Sequence, residues 1–304
     1  MQLIGSLFGY VLYGAYLLVR NYGLAILLFT IISKLILFPS SIKQQKSMAN
    51  NARLQRQMAE LREKYGRNRE KLNEETAKLY EKEGVSPYGG CLSTLLPLFI
   101  MMGVFYSVAY PLTNTLHLNA DMIANAKDVL VTIPGLNIST SATYDGQIDI
   151  MKYFNEFPVL QECFKDSSLG IQGISDFCAS FNFCGLNLLE TPSQRGFSVY
   201  LIIPFLCFVT SVLSQWIIQK LNNSGNTQQG CMKVMMLLLP LFSAYIAYTV
   251  PCAVGLYWVF STILGFFQSL IMHKYFGPDM MIARSEAARI AMLENEEKLE
   301  TKLS

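Results

Sequence analysis

The chain has 304 residues, of which 52% are hydrophobic and only 15% are charged. Soluble globular domains carry about 25% charged residues, so this composition argues against an ordinary soluble protein. The net charge of +2 is too small to indicate a protein that holds nucleic acid by bulk charge. Long apolar runs alternate with strongly charged segments, which is typical of a membrane protein with several spans.

Residues 1–20 are predicted to form an amphipathic helix that lies in the membrane interface. Apolar side chains recur at helical spacing between Leu3 and Val19, and glycines and tyrosines take the other face. An uncleaved signal peptide is the alternative interpretation. It is less favoured, because no basic residue precedes the apolar stretch.

Five apolar runs follow that are long enough to cross a bilayer as helices: 22–38, 90–110, 197–218, 234–250 and 252–272. A helix satisfies its own backbone hydrogen bonds in lipid, so the sequence predicts an all-α membrane protein with five transmembrane helices. The short sequence Thr249-Val250-Pro251 predicts a tight turn between the last two spans. Residues 111–196 form a long outer loop, 219–233 a short inner loop and 273–304 a tail.

The charged segment 39–89 is predicted to form a cytosolic helical hairpin. Apolar residues follow each other at intervals of 4, 3 and 4, and two more continue the stripe after a turn at residues 66–68: Leu54, Met58, Leu61 and Tyr65, then Leu72 and Leu79. Each helix has one thin apolar seam, which favours antiparallel packing of the pair. A solvated hairpin without any partner is the alternative.

The orientation follows from the lysine and arginine counts. Residues 40–88 hold 11 basic and 7 acidic side chains, whereas 112–196 hold 4 basic and 9 acidic ones. The tail from His273 holds 5 basic residues. We therefore expect a multi-pass protein of the plasma membrane with its N-terminus outside and its C-terminus in the cytoplasm.

Known catalytic signatures are absent from the sequence. It has no Walker loop, no dinucleotide fingerprint, no HExxH and no EF-hand loop. Both histidines fall outside the spans, so an intramembrane serine hydrolase would lack a base. A proton-coupled transporter normally needs an intramembrane carboxylate, and no Asp or Glu lies in any predicted span. The sequence therefore predicts a protein that is not an enzyme and needs no cofactor or metal.

One charged side chain, Lys34, lies inside a predicted span. It precedes Pro39 by five residues, which corresponds to about 7.5 Å along a helix, and Thr30 lies one turn earlier on the same face. A lysine at this depth can extend its ammonium group to the cytosolic interface and have no other role. The alternative is that Lys34 faces a hydrated cavity between the helices.

Polar side chains in two other spans favour the hydrated cavity. Thr210 and Gln215 lie in the third predicted span, and Trp258 and Thr262 lie in the fifth. A buried primary amide such as that of Gln215 needs hydrogen-bond partners or water. A polar interior beside Lys34 would supply both, so these residues together predict a groove.

Four segments of the sequence, in this order and spacing, resemble the YidC family of membrane protein insertases: YGLAI at 22–26, SIKQQKSMA at 41–49, LY at 79–80 with GVSPYGGC at 84–91, and GLYW at 255–258. The resemblance covers nearly all of the chain outside the outer loop. Lys34 lies at the position of the family's intramembrane arginine. An insertase, or membrane chaperone, is the function that the resemblance implies.

The resemblance also implies a mechanism and partners. A hydrophilic groove, open to the cytosol and to lipid, would admit newly made membrane proteins, with Lys34 as its charge. The groove would be lined by Thr30, Thr210, Gln215, Trp258 and Thr262. The cytosolic hairpin, with its four arginines, would receive nascent chains or the ribosome: Arg53, Arg56, Arg62 and Arg69. Members of the family work alone or beside the Sec channel.

Other interpretations stay open from the sequence. A small-solute channel or transporter, or a structural partner of another membrane complex, would share the helical spans. Direct nucleic-acid recognition is not expected, since the tail holds 5 basic against 6 acidic residues. Cys163, Cys178 and Cys184 share the outer loop, so two of them could form a disulfide and leave one thiol free.

Overall fold

The computed structural model is mostly helical, and it falls into two units, Met1–Leu35 with Phe99–Phe266 and Ile36–Leu98 with Phe267–Ser304. Its described residues are 2–66, 68–82, 102–103, 105–136, 146–221, 230–276, 280, 287 and 290–291. The predicted second span, 90–110, lies mostly outside these residues, so the number of five spans stays a prediction.

Helix α1 covers Gln2–Val19, and α2 is a single helix of 44 residues, Tyr22–Tyr65. The apolar part of α2, Tyr22–Lys43, is long enough to cross a membrane. Proline lacks an amide hydrogen and usually kinks or breaks a helix, but α2 continues through Pro39. The first apolar stretch and the charged segment that follows it are therefore parts of one helix.

Helix α3 covers Arg69–Lys82. Asn68 caps it, because the Asn68 side-chain oxygen accepts a hydrogen bond of 3.1 Å from the amide of Lys71. The ammonium groups of Lys64 and Lys71 lie 5.4 and 5.6 Å from the ring centre of Tyr65, where α2 ends. The antiparallel packing of the two helices stays a prediction.

The outer loop is a folded part of the chain. A π-helical turn at Pro111–Thr115 is followed by α4 (Ala120–Thr132), α5 (Gln147–Tyr153), α6 (Pro158–Glu162), α7 (Gly170–Ala179) and α8 (Pro192–Arg195). Phenylalanines at 154, 164, 177 and 181 are fully buried and belong to its core. The apolar side chains of the long loop therefore pack into one core together with α1, α2 and the start of the last helix.

A β-hairpin is the exception to the predicted all-α fold. Strands β1 (Asn182–Phe183) and β2 (Leu186–Asn187) pair antiparallel, with Asn182 opposite Asn187. Cys184 and Gly185 form the turn with positive φ values of 51° and 80°. A two-residue hairpin turn of this type requires positive φ at both central residues, which suits the right-handed twist of the strands.

Three long helices complete the chain: α9 (Ile202–Leu221), preceded by a 3-10 turn at Val199–Leu201, α10 (Gly230–Thr249) and α11 (Cys252–Phe276). Two of these regions, Val199–Ile218 and Cys252–Tyr275, are long and apolar enough to cross a membrane. Large apolar side chains on these helices and on α2 are more than half exposed, including Leu35, Phe205, Trp216, Leu238 and Phe242. Such a surface is expected where lipid rather than water surrounds the protein.

Helix α1 packs against the π-helical turn at Pro111–Thr115. The His117 ring stacks on Tyr10 with 3.7 Å between ring centres, and its Nδ1 lies 3.3 Å from the Ser6 hydroxyl. Gly9 is the closest point of approach, because a Cβ at this position would overlap the backbone carbonyl of Asn114. The placement of α1 in the membrane interface stays a prediction.

We expect Gly9→Ala to destabilise the protein by about 2–3 kcal/mol, because the added methyl group must push α1 away from Asn114. Gly14→Ala is the matched control on the same helix, since a Cβ there meets no atom within 4 Å. Alanine is the better helix former by up to about 1 kcal/mol, so Gly14→Ala should be neutral or stabilising. Thermal unfolding of both variants in detergent tests this, and equal melting temperatures would contradict the close packing.

Candidate functional site

Lys34 lies on α2 within the apolar stretch Tyr22–Lys43 and is half-buried. Its ammonium group lies against the backbone of α11 at Gly265, where a Cβ would be only 3.4 Å from Nζ. Gly265 has no side chain, so it leaves room for the ammonium group. Among the described residues, no carboxylate lies within ion-pair distance of Lys34.

The three threonines of the predicted groove donate their hydroxyl protons to their own helices. Thr30 donates to the Ile26 carbonyl at 2.6 Å, Thr210 to Leu206 at 2.7 Å and Thr262 to Trp258 at 2.8 Å. This i−4 bond is common for threonine in helices, and it leaves oxygen lone pairs free to accept a hydrogen bond. Thr30 is only 1% exposed, so its hydroxyl does not face an open groove in this structure.

Sequence reasoning overlooked Ser33, the residue next to Lys34. Ser33 is buried, and its hydroxyl has no hydrogen-bond partner in the described part of the chain. An unpaired buried hydroxyl is costly, so it marks a place where water or another polar group is expected. The signal was present in the sequence, since a hydroxyl adjoins the single charge of an apolar run.

The structure brings together only some of the predicted groove residues. Thr262 lies on α11, three residues before the glycine that Lys34 approaches. Trp258 is half-buried and packs against a small cluster that includes Cys207 of α9. Gln215 is half-buried on α9, and neither it nor Thr210 forms a hydrogen bond with Lys34. The groove as a continuous hydrated space stays a prediction.

The predicted arginines of the cytosolic hairpin are described only in part. Arg62 and Arg69 are exposed on α2 and α3. The side chains of Arg53 and Arg56 lie outside the described part. On α3 the exposed Lys78 pairs with Glu74 and Glu75 at 2.8 and 3.1 Å.

A second charged site, which the sequence did not reveal, lies in the outer loop. The Glu190 carboxylate is almost fully buried and accepts hydrogen bonds from Lys152 at 3.0 Å and from Arg195 Nε at 2.9 Å. A second Arg195 nitrogen binds its other oxygen. Burial alone would raise the pKa of Glu190, but the hydrogen bonds and charges of Arg195 and Lys152 outweigh it and hold this pKa below 4.5.

A cleft of about 230 Å³ adjoins this ion pair, lined by residues that include Asp149, Lys152, Thr191, Gln194 and Pro251. It lies in the outer loop at the turn between α10 and α11, and Lys34 is not among its lining residues. The cleft is therefore not the predicted groove.

The outer-loop cysteines are free thiols in the structure. Cys178 is buried, and this burial raises the pKa of its thiol. Cys184 is exposed at the tip of the β-hairpin. A disulfide between two of Cys163, Cys178 and Cys184 is thus not formed here. Within the described residues there is also no group of three side chains that could hold a metal ion.

Comparison with known families decides the relationship that the motifs suggested. The family model described as "60Kd inner membrane protein" matches residues 14–279. The chain belongs to this family. Its resemblance to the YidC insertases is thereby confirmed, and the family together with three long apolar helices shows a multi-pass membrane protein.

Individual relatives in this family are named membrane protein insertase YidC. The relative from Caldanaerobacter subterraneus subsp. tengcongensis is 28% identical over 256 residues, which cover 84% of this chain and 87% of the relative. The relative from Treponema denticola is also 28% identical, over 264 residues, but the match covers only 35% of that longer protein. A relative from Maridesulfovibrio salexigens is 48% identical over 86 residues, which cover 28% of this chain and 16% of the relative.

Proposed function

We propose that this protein inserts newly made membrane proteins into the bilayer and assists their folding. The observation that carries the proposal is the alignment with a relative named membrane protein insertase YidC, which extends over most of both chains. The position of Lys34 supports it, because this positive charge lies well inside an apolar helix rather than at its end. Such a charge is costly in hydrocarbon and usually serves a function.

The proposed mechanism uses Lys34 as a temporary counter-ion. An acidic segment of a substrate that must cross hydrocarbon costs several kcal/mol or more. Lys34 has no carboxylate partner in the described part of the chain, so a substrate carboxylate can pair with it. The apolar segment of the substrate then moves sideways into lipid, and this burial drives insertion without nucleotide hydrolysis or any catalytic step.

The groove is proposed to be hydrated by polar side chains of α2, α9 and α11. Thr210 and Thr262 keep oxygen lone pairs that can accept hydrogen bonds from water, whereas Thr30 is buried in this structure. The Gln215 amide has no hydrogen-bond partner among the described residues, so water or a substrate backbone can satisfy it. Trp258 supplies a polar N–H beside a large apolar surface, which suits a segment that is leaving water.

The cytosolic side is proposed to receive the nascent chain. Exposed arginines such as Arg62 and Arg69 suit contact with acidic or nascent segments, or with the ribosome. Cooperation with the Sec channel belongs to the same proposal. The exposed apolar surfaces of α9 and α10 would face lipid or such a membrane partner.

The proposed orientation places the outer loop outside the cell and the tail inside. We expect a membrane-impermeant maleimide, added to intact cells, to label Cys184, because this thiol is exposed at the hairpin tip. Cys184→Ser should remove most of that labelling, whereas Cys178→Ser should not, since Cys178 is buried. Labelling of Cys184 only after the membrane is opened would contradict the orientation.

Photo-cross-linking from the candidate groove tests the proposed function. A photoreactive residue at Thr262 should capture ribosome-bound nascent chains of a single-span membrane protein during synthesis. The same residue at Val131, which is exposed on α4 of the outer loop, is the matched control. Equal and low capture at both positions would contradict a role in insertion through this groove.

A further inference from the structure

Two helices, α2 and α11, begin at the same segment of the outer loop. The first amides of a helix have no partner within it, so other groups must accept their hydrogen bonds. The Ser180 carbonyl accepts from the Tyr22 amide at 3.0 Å. The carbonyls of Glu190 and Leu188 accept from the amides of Cys252 and Ala253, each at 2.9 Å. One loop segment, 180–190, therefore holds the starts of both helices.

The β-hairpin of this segment places an aromatic ring between the two helices. The Phe183 ring lies directly on Gly23 of α2, where any Cβ would overlap it. Phe183 also meets Phe260 of α11 edge-on, with 6.4 Å between ring centres. The Asn21 side chain donates a hydrogen bond of 2.8 Å to the neighbouring Asn182 carbonyl. Phe183 thus contacts both helices at once.

The segment is itself well braced. Tyr22 stacks on Phe181 with 3.9 Å between ring centres, and the Leu188 amide donates to the Phe181 carbonyl at 2.9 Å. The buried Glu190 carboxylate is fixed by Lys152 and Arg195. A loop with buried aromatics and a paired buried charge is rigid, so it can transmit a fixed spacing to the helices that it holds.

Both helices lead from this segment toward the candidate site. Lys34 comes 12 residues after Tyr22, and Gly265 comes 13 residues after Cys252. At 1.5 Å per residue these distances are about 18 and 20 Å, and at that depth the Lys34 ammonium group lies against Gly265. The two residues that meet are therefore at similar distances along their helices from segment 180–190.

We infer that the outer-loop segment 180–190 is a clamp that sets the spacing of α2 and α11 and thereby positions Lys34. Phe183 is the positioning residue of the clamp, and Gly23 is the site that receives it. The consequence for insertion rests on the proposed function. The clamp itself does not rest on the proposed function, because hydrogen exchange alone can measure it.

The test compares Phe183→Ala with Phe197→Ala, which replaces a fully exposed aromatic residue directly after the outer loop. Hydrogen exchange of the full-length protein in nanodiscs should be about tenfold faster at the amides of Tyr22, Cys252 and Ala253 in Phe183→Ala, and unchanged in Phe197→Ala. Phe183→Leu is the milder variant if the alanine variant does not fold, with a smaller change in the same direction. Unchanged exchange at these amides in folded Phe183 variants would overturn the clamp.

Gly23→Ala gives an independent check, because its added methyl group meets the Phe183 ring. Gly23→Ala should speed hydrogen exchange at the same amides when Phe183 is present. It should have little further effect on exchange in Phe183→Ala, where the ring is absent. Insertion in liposomes then tests positioning, with one substrate carrying an acidic outer segment and one carrying a neutral segment. A loosened clamp should lower insertion of the acidic substrate selectively.

The outcomes separate the two proposals. Equal loss for acidic and neutral substrates would overturn the positioning of Lys34 and leave a purely structural loop. If the wild type inserts neither substrate while exchange still responds to Phe183→Ala, the proposed function fails and the clamp is supported. If the wild type inserts both substrates and neither exchange nor insertion responds to Phe183→Ala, the clamp fails and the proposed function remains.

Discussion

Replacing Lys34 with alanine is expected to lower insertion of substrates with acidic outer segments by about tenfold or more. A counter-ion that recovers about 1.4 kcal/mol of the several kcal/mol that a carboxylate costs in hydrocarbon changes the rate by about tenfold. Lys34→Arg keeps the charge, and should retain most of the activity. Insertion rates in liposomes for the wild type and both variants measure the effect.

The substrate supplies the control for the Lys34 variants. Substrates whose outer segment has no acidic residue should be much less affected by Lys34→Ala, because they need no counter-ion. Equal insertion of acidic substrates by the wild type, Lys34→Ala and Lys34→Arg would remove Lys34 from the mechanism. Lys34 would then be a residue that only extends its charge to the cytosolic interface.

The second large effect is expected at Glu190, whose removal should destabilise the outer loop. Glu190→Gln leaves the ammonium group of Lys152, which is only 20% exposed, without its ion pair. Breaking a fully buried pair costs about 3–5 kcal/mol. Arg195 is half exposed and can be hydrated, so we expect Glu190→Gln to lower the free energy of unfolding by about 2 kcal/mol. Glu156→Gln, at an exposed position of the same loop, is the matched control for thermal unfolding.

The stability of the outer loop should also depend on pH through Glu190. Its pKa is held below the ordinary value of 4.5, so the folded state binds its proton less readily than the unfolded state does. The stabilisation is therefore complete well above pH 4.5 and is lost as the pH falls through 4.5 toward the lowered pKa. The melting temperature of the wild type should decrease as the pH falls through this range. In Glu190→Gln the decrease should be smaller, because the contribution of Glu190 is absent. An identical pH dependence in both proteins would contradict this assignment.

The helical part of the fold could be predicted because apolar runs and lone charges are local signals. Lys34 was identifiable on this basis, since it is the single charge of an apolar run. The continuity of α2 through Pro39 could not be predicted, because proline usually marks a helix boundary. A long helix nevertheless loses only one of its many backbone hydrogen bonds at a proline. The contact of Lys34 with Gly265 was also hidden, because glycine carries no chemistry that a sequence pattern could reveal.

The outer loop escaped prediction for a different reason. Its key contacts join residues that are far apart in the sequence, such as Asn21 with Asn182 and Glu190 with Cys252. Its β-strands have only two residues each, and Cys184-Gly185 is not the usual Asn-Gly turn signal. The ion pair of Glu190 with Lys152 likewise depends on tertiary packing. Local propensity could therefore indicate a loop but not its clamp.

Insertion by the purified protein into liposomes tests the central claim most directly. The substrate is a small single-span protein with an acidic outer segment, and protease protection of that segment scores insertion against empty liposomes. The proposed function predicts protection well above the empty-liposome level with the wild type and a sharp fall with Lys34→Ala. Protection no greater than in empty liposomes would contradict an insertase that acts by itself through Lys34.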